Sequence, residues 1–125
     1  MTKKSEIGKA GEDLACDYLK KQGCKIIERN FRRPWGEIDI VCQDTDKTLV
    51  FVEVKTVTRQ DNDVYKPTAE DQLTKSKLAK ITKTAVQYAG DNQKSIDDRK
   101  GWRIDLLALT INNEDVDIKH YKNIA

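Results

Sequence analysis

Apolar residues recur along this chain with spacings that predict two helices. In residues 5–22 they return every three or four positions, which predicts an amphipathic helix that ends before Gly23. Residues 70–88 show the same period and predict a second helix. The apolar faces consist of Ile7, Gly11, Leu14, Ala15, Tyr18 and Leu19 in the first helix and of Leu78, Ile81, Ala85 and Tyr88 in the second.

Other segments have the short period of β-strands. The predicted strands cover residues 25–30, 37–42, 48–55, 102–111 and 116–121. In the second of them, strict alternation predicts Ile38, Ile40 and Cys42 on one face and Asp39 on the other. The third carries a run of consecutive apolar residues, so we expect both of its faces to be covered and the strand to be central.

The connections complete a simple topology. Pro34 and Gly36 predict a turn over residues 31–36, and residues 56–68 predict a long polar loop that contains Pro67. The resulting order is α-β-β-β-α-β-β, which is typical of an α/β fold with one sheet flanked by helices. At 125 residues, the chain is expected to form a single domain over residues 1–125.

Composition excludes several classes of protein. The net charge of +2 argues against a strongly basic nucleic-acid binder. No segment approaches the length of apolar chain that spans a bilayer, and the N-terminus has no apolar stretch typical of a signal peptide. The three cysteines form no C-x-x-C pair and are interpreted as buried, reduced residues, which predicts a cytoplasmic protein.

Two acids and a lysine are expected to meet at the end of the central strand. Period two places Glu53 and Lys55 on one face, and a hairpin folded at residues 44–47 brings Asp39 across from Glu53. Two adjacent carboxylates are costly unless a cation lies between them, and oxygen ligands of this kind suit Mg²⁺ or Mn²⁺. The alternative is a Glu53–Lys55 salt bridge that faces solvent and has no function.

Charge is distributed unevenly behind the small net value. Residues 39–71 carry −4, whereas residues 1–38 carry +3 and residues 72–88 carry +4. Basic surfaces around an acidic centre suit a metal site that contacts phosphates. The lysines of the second helix, including Lys75 and Lys77, are candidates for that contact; the alternative is an ordinary solvated helix face. Lys77 is expected to point toward the sheet because it follows the same helical line as apolar residues.

Three further features carry weaker signals. Arg29, Arg32 and Arg33 surround Trp35, a combination that binds a nucleic-acid backbone and stacks a base; Trp35 as a lid on the core is the alternative. Arg103 and Asp105 are interpreted as a structural ion pair. Glu12 lies on the flank of the first helix and is most simply a solvated boundary residue. His120 has no evident partner and is interpreted as a surface or strand-end histidine.

Taken in order, these residues resemble a known family. Asp39 followed by Glu53-Val54-Lys55 resembles the PD-(D/E)xK nuclease signature, although Ile38 stands where that signature has proline. The wider series is similar to the YraN family of small bacterial proteins related to archaeal Holliday-junction resolvases. It comprises Gly11-Glu12, Ala15, Tyr18-Leu19, Arg29-Asn30, Arg32, Gly36-Glu37-Ile38-Asp39, Val52-Glu53-Val54-Lys55, Lys77, Arg103-Ile104-Asp105, Ile118 and His120.

The resemblance implies a fold, a metal site and an activity. It implies a restriction-endonuclease-like fold with a mixed central sheet, and a Mg²⁺ or Mn²⁺ ion held by Asp39, Glu53 and the Val54 carbonyl. It further implies Lys55 as the catalytic lysine, Glu12 as an accessory acid, and hydrolysis of phosphodiester bonds in DNA. A homodimer is expected by analogy with resolvases. The alternatives are a non-catalytic nucleic-acid-binding module with a vestigial site and a partner-binding protein.

Overall fold

The computed structural model describes residues 3–59 and 68–125, and its elements follow the predicted order α-β-β-β-α-β-β. The two α-helices are α1, Lys3–Lys21, and α2, Lys75–Asp91. The strands are β1, Lys25–Arg33; β2, Gly36–Gln43; β3, Leu49–Arg59; β4, Trp102–Asn112; and β5, Asp115–Tyr121. Short 3-10 turns at Glu70–Gln72 and Gln93–Ser95 flank α2.

The strands form one mixed sheet in the order β1-β2-β3-β4-β5. Neighbouring strands are antiparallel except for β3 and β4, which pair in parallel from Leu49 and Trp102 to Arg59 and Asn112. A parallel pair needs a crossover connection, and α2 lies within the segment that provides it. The predicted α/β class, the mixed sheet and the central place of β3 are therefore confirmed, and they fit a restriction-endonuclease-like fold.

A helix covers each face of the sheet. The apolar cluster under α1 contains Ala15, Cys16, Leu19, Ile40, Cys42, Val50, Val52, Leu107 and Leu109. The cluster under α2 contains Phe31, Ile38, Val41, Leu49, Phe51, Ile81, Ala85, Tyr88, Ala89 and Ile104. Successive residues of β3 belong to alternate clusters, which is why its apolar run has no polar interruption before Glu53.

Several predicted boundaries were wrong, and the largest differences are at the ends of β1 and β3 and at the start of α2. Residues 31–33 belong to β1, and residues 56–59 extend β3 because they continue its pairing with β4. The second helix starts at Lys75 rather than at residue 70, since the Thr74 hydroxyl caps it by accepting the Lys77 N–H at 3.2 Å. Pro67 and the rest of the predicted loop over residues 60–67 lie outside the described residues.

Strand β2 departs from the predicted alternation. Ile40 and Cys42 pack under α1 as one face, but Ile38 packs under α2 together with Val41. The prediction that Ile38 shares a face with Ile40 was therefore wrong. The change of face occurs at Asp39, where the β2–β3 pairing has already stopped at Ile40 and Val52.

All three cysteines are free thiols; Cys16 and Cys42 are buried and Cys24 is half-buried. Burial raises the pKa of the Cys42 thiol, which keeps it protonated and unreactive. In the described part of the chain, no helix combines the length and the apolar character that a membrane crossing requires.

Candidate active site

Asp39 occupies a local distortion that aims its carboxylate at β3. In the β1–β2 pairing, Arg29 lies opposite Ile40 and Phe31 opposite Ile38, so Asn30 falls opposite Asp39. Asn30 has a φ of 54°, a left-handed conformation that asparagine tolerates better than most residues. With no regular pairing to β3 at this point, Oδ2 of Asp39 accepts the backbone N–H of Val54 at 2.8 Å.

Glu53 and Lys55 meet this carboxylate from β3. The register that pairs Gln43 with Leu49 puts Asp39 and Glu53 at opposite positions, one step beyond the last regular pair. Both acids are largely buried, with exposed fractions of 7% and 8%. Nζ of Lys55 lies 3.0 Å from Oε1 of Glu53. The structure thus brings together the two acids and the lysine that the hairpin register predicted.

Helix α1 delivers a third acid. Gly11 lies so close to β3 that an added Cβ would overlap the Thr56 hydroxyl, and this close approach brings the next residue, Glu12, to the sheet. Glu12 lies close enough to Asp39 for the two carboxyl groups to interact, and its side chain is only 21% exposed. Glu12 is therefore more enclosed than the solvated boundary residue that its position in the helix suggested.

The acids hold protons more tightly than usual. Burial, together with the charge of Glu53, raises the pKa of Asp39 to about 7. Burial and the neighbouring Asp39 likewise raise the pKa of Glu12 to about 7, although Arg29 acts in the opposite direction. The pKa of Glu53 is also raised by burial, which outweighs the opposing effect of Lys55. Such a cluster gains stability from either a shared proton or a bound cation.

The oxygen atoms at this site suit a hard divalent cation for which the protein supplies only some of the ligands. Among residues 3–59 and 68–125, no three His, Cys, Asp or Glu side chains converge as a complete metal-ligand group. Asp39 and Glu53 nevertheless offer carboxylate oxygens, and Mg²⁺ is commonly bound by one or two carboxylates with water and phosphate oxygens in the other positions. The residues present therefore fit Mg²⁺ or Mn²⁺ better than a cation that needs a closed cage.

A backbone carbonyl faces the same place. The N–H and C=O of one strand residue point toward the same edge, and the N–H of Val54 points toward Asp39. The carbonyl of Val54 consequently points into the gap beyond the last β2–β3 pair. This orientation is the one that a metal-binding role of the Val54 carbonyl would need.

A groove of about 680 Å³ runs beside Glu12 between α1 and the β1–β2 hairpin. Arg29 and Arg32 line it together with acidic neighbours. Arg29 donates to Asp13 at 2.8 Å and lies 3.9 Å from Glu12, while Arg32 contacts Glu37 at 3.3 Å. Two of the three predicted phosphate-binding arginines are thus at the groove.

The other predicted basic contacts are placed differently. Arg33 lies over the Phe31 ring, 4.1 Å from its centroid, at the tip of the hairpin. Lys75 and Lys77 are exposed on the first turn of α2. The prediction that Lys77 points toward the sheet was wrong, because its amine donates to the Gln72 carbonyl at 2.9 Å and closes the preceding 3-10 turn.

A second polar cluster is centred on β4 and β5. Asp105 is fully buried and accepts hydrogen bonds from Nε of Arg103 at 2.9 Å and from the Asn123 N–H at 2.9 Å. Its other oxygen lies 2.8 Å from Nε2 of His120, and Nδ1 of His120 is 3.1 Å from the Tyr18 hydroxyl.

The predicted Arg103–Asp105 pair is confirmed. His120 lies at a strand end, as one of its two interpretations had it, but the expectation that it has no partner was wrong. The position of Asp105 in the middle of the apolar strand β4 was the signal in the sequence for a partner such as His120, because a buried carboxylate must be paired. The imidazole that Asp105 requires is supplied by β5, where His120 pairs with Leu107. This cluster joins β4, β5, the C-terminus and α1. It also joins the β2–β3 turn, because Arg103 donates to Asp44 at 2.8 Å, and it contains none of the acids around Asp39.

Comparison with known proteins places the chain in a family. Residues 11–109 match the sequence profile of the uncharacterised protein family UPF0102. A UPF0102 protein of Lawsonia intracellularis is 39% identical, with 98% of this chain and 86% of that protein covered. One from Campylobacter concisus is 40% identical with 86% of each chain covered, and one from Syntrophomonas wolfei is 45% identical over 66% of this chain and 68% of its own. The chain belongs to the UPF0102 family, which confirms the family predicted from its motifs.

Proposed function

We propose that this protein is a divalent-metal-dependent nuclease that hydrolyses phosphodiester bonds in DNA, with branched or otherwise structured DNA as its substrate. The observation that carries this proposal is the juxtaposition of Asp39 and Glu53, buried side by side, with the Lys55 amine 3.0 Å from Glu53. A purely structural ion pair would need only one of these acids. The second acid adds electrostatic repulsion to the cluster, and a bound cation would offset that repulsion. A cation-binding role therefore explains why both acids are present.

Each residue has a distinct part in this mechanism. Asp39, Glu53 and the Val54 carbonyl would hold the ion, which when bound would supply positive charge to the scissile phosphate and make a water molecule easier to deprotonate. Lys55 would orient the attacking water and offset the charge that develops on the phosphate. Glu53 fixes the position of the Lys55 amine through their ion pair. Glu12, with its pKa raised to about 7 by burial and Asp39, would exchange a proton near neutral pH.

The groove beside Glu12 supports a nucleic-acid substrate. Arg29 and Arg32 line it and are partly or largely exposed, with 36% and 73% of their side chains accessible. Arginine binds phosphate through a planar fork of donors, and both residues are neutralised by acids that a phosphate could displace. We also propose that the protein is cytoplasmic and that it acts on two DNA strands as a homodimer.

The test is a cleavage panel with Mn²⁺ or Mg²⁺ over junction, flap, single-stranded and duplex DNA. Asp39→Asn and Glu53→Gln should each reduce cleavage at least about 10³-fold, since they remove charge where the ion would bind. Asp46→Asn is the matched control, because Asp46 accepts the Thr48 N–H in the β2–β3 turn and lies away from the acids. Salt-dependent DNA binding without cleavage in all variants would instead favour the vestigial binding module.

A further inference from the structure

The tip of the β1–β2 hairpin presents an aromatic ring that the core does not use. Trp35 belongs to neither apolar cluster, and 36% of the residue is exposed. The other tryptophan, Trp102, packs against the cluster under α2 and stacks edge-to-face with Phe51. Trp35 is therefore not the lid on the core that its sequence position allowed.

This tip is held rigidly against α2. Gly36 follows Trp35 directly, and an added Cβ there would come within 2.7 Å of the Thr84 hydroxyl and 3.3 Å of the Lys80 carbonyl oxygen. Thr84 is itself fully buried. Because the backbone next to Trp35 is packed this tightly, the residue that carries the indole ring is positioned before any ligand binds, which lowers the entropic cost of stacking.

Positive charge surrounds the ring. Nζ of Lys83 lies 5.4 Å from the centre of the Trp35 ring. An open depression of about 360 Å³ next to it is lined by Arg32, Arg33, Pro34, Trp35, Gly36, Glu37 and Lys80. Glu37 is the one acid of this lining, and it contacts Arg32 at 3.3 Å. An exposed aromatic ring flanked by cations combines a stacking surface for a base with contacts for the adjoining phosphates.

The tip also lies close to the proposed reaction centre. Trp35 directly precedes β2 and lies four residues before Asp39, which corresponds to about 13 Å at the usual rise of a strand. At roughly 3.4 Å per stacked nucleotide, this distance spans a few nucleotides of one strand. A base stacked on Trp35 would therefore lie a few nucleotides from the phosphate at the acids.

We propose that Trp35 stacks on an unpaired base and so restricts the substrate to DNA with a single-stranded segment beside the scissile phosphate. This inference rests on the proposed nuclease function for its choice of DNA. Inside a duplex, both faces of each base are covered by its neighbours, whereas an unpaired base leaves a face open to the indole. Lys83 and Arg33 then contact the flanking phosphates.

Intrinsic fluorescence tests this contact directly. In a Trp102→Phe, Asp39→Asn background, Trp35 is the sole tryptophan and cleavage is prevented. We expect a short oligothymidine to quench its emission in metal-free buffer and a blunt duplex of the same length to leave it nearly unchanged. In the Asp39→Asn protein, Trp35→Ala should weaken oligothymidine binding about 5- to 150-fold, the effect of losing one stacked base. Tyr121→Ala, which removes a similarly exposed ring from β5, should not.

The outcomes separate this inference from the proposed function. Equal quenching by oligothymidine and duplex, or unchanged oligothymidine affinity in Trp35→Ala, overturns the stacking role of Trp35. Absence of cleavage of every DNA by the wild-type protein overturns the nuclease proposal, and quenching can still be observed in that case. If Trp102→Phe does not fold, the cleavage ratio of flap to duplex DNA in Trp35→Ala decides instead: a ratio unchanged from wild type contradicts the inference, and a lower one supports it.

Discussion

The carboxylate of Asp39 accepts the backbone N–H of Val54 over 2.8 Å, across the gap that opens where β2 and β3 stop pairing. Because Glu53 precedes Val54, this one hydrogen bond holds two acids next to each other. An asparagine side chain also has an oxygen that accepts an N–H. Asp39→Asn is therefore a change of charge with little change of geometry, which makes it suitable for separating electrostatics from packing.

Without metal, the stability of this protein should fall as the pH rises from about 4 to 8. Carboxyl groups in an unfolded chain have pKa values near 4, whereas burial and neighbouring acids raise those of Asp39 and Glu12 to about 7. Between these values the folded state holds protons that the unfolded state has released, so the free energy of unfolding decreases with pH.

The Asp39→Asn variant should lose less of its free energy of unfolding as the pH rises. At pH 8 it should be about 1–3 kcal/mol more stable than the wild type. At pH 5, where Asp39 is already protonated, the two proteins should unfold alike. Urea denaturation in EDTA at both pH values measures the difference. An Asp39→Asn protein that is less stable than the wild type at pH 8 would show that the acids do not repel each other.

Mg²⁺ should stabilise the wild-type protein at pH 8 by relieving the same repulsion. A ligand present at about 100 times its dissociation constant adds about 2.7 kcal/mol to the free energy of unfolding. The thermal midpoint should rise with Mg²⁺ in the wild type and in Asp46→Asn, and should stay nearly constant in Asp39→Asn combined with Glu53→Gln. An equal rise in all three proteins would mean that the cation acts nonspecifically.

Asp105→Asn should be among the most destabilising conservative substitutions. Asp105 is fully buried, and its oxygens contact Arg103, His120 and the Asn123 N–H. Burial alone would raise the pKa of Asp105, but the hydrogen bonds from His120 and Arg103 outweigh it and lower the pKa. Its contribution to stability is therefore present above pH 4 and is lost only at lower pH, where the folded carboxylate is protonated.

The Asp105→Asn variant leaves Arg103 with Asp44 as its acidic partner and places an amide N–H among the donors that surround position 105, which typically costs about 1–3 kcal/mol. Urea denaturation at pH 7 measures the loss, and Asp117→Asn on the exposed face of β5 serves as the matched control, with a change within about 0.5 kcal/mol. A loss of less than about 1 kcal/mol for Asp105→Asn would contradict the role given to this cluster.

Two glycines of α1 should respond oppositely to the same substitution. Gly8 has no neighbouring atom within 4 Å of an added Cβ, so Gly8→Ala should stabilise the helix by about 0.5–1 kcal/mol. Gly11→Ala would overlap the Thr56 hydroxyl and should destabilise the protein by about 1–3 kcal/mol while moving Glu12 away from Asp39. Thermal denaturation compares the two variants. Stabilisation by both would mean that α1 is not held close to β3.

Much of the fold follows from features that are local in the sequence. The apolar run before Glu53 identified the central strand, and the short turn after Gln43 fixed the register that sets Asp39 opposite Glu53. Both predictions depend only on side-chain alternation and on the length of one hairpin. The candidate site could be predicted because its acids lie on adjacent strands joined by that hairpin.

What could not be predicted depends on contacts between distant residues. The change of face at Ile38 accompanies a positive φ at Asn30 on another strand, which strict alternation cannot reveal. His120 lies 15 residues from Asp105 and 102 from Tyr18, so its partners become evident only when β4, β5 and α1 are assembled. Lys77 was misplaced because the capping by Thr74 and the 3-10 turn before it were not recognised.

The parallel pairing of β3 with β4 has a consequence for how the chain folds. Partners in the other strand pairs lie fewer than 20 residues apart, whereas Leu49 and Trp102 are separated by more than 50. Closing such a long loop is entropically slow, so we expect the β1–β3 meander and the β4–β5 hairpin to form first and to join in the rate-limiting step. Asp39, Glu53 and Lys55 all belong to the first of these units, so the acids meet before the sheet is complete.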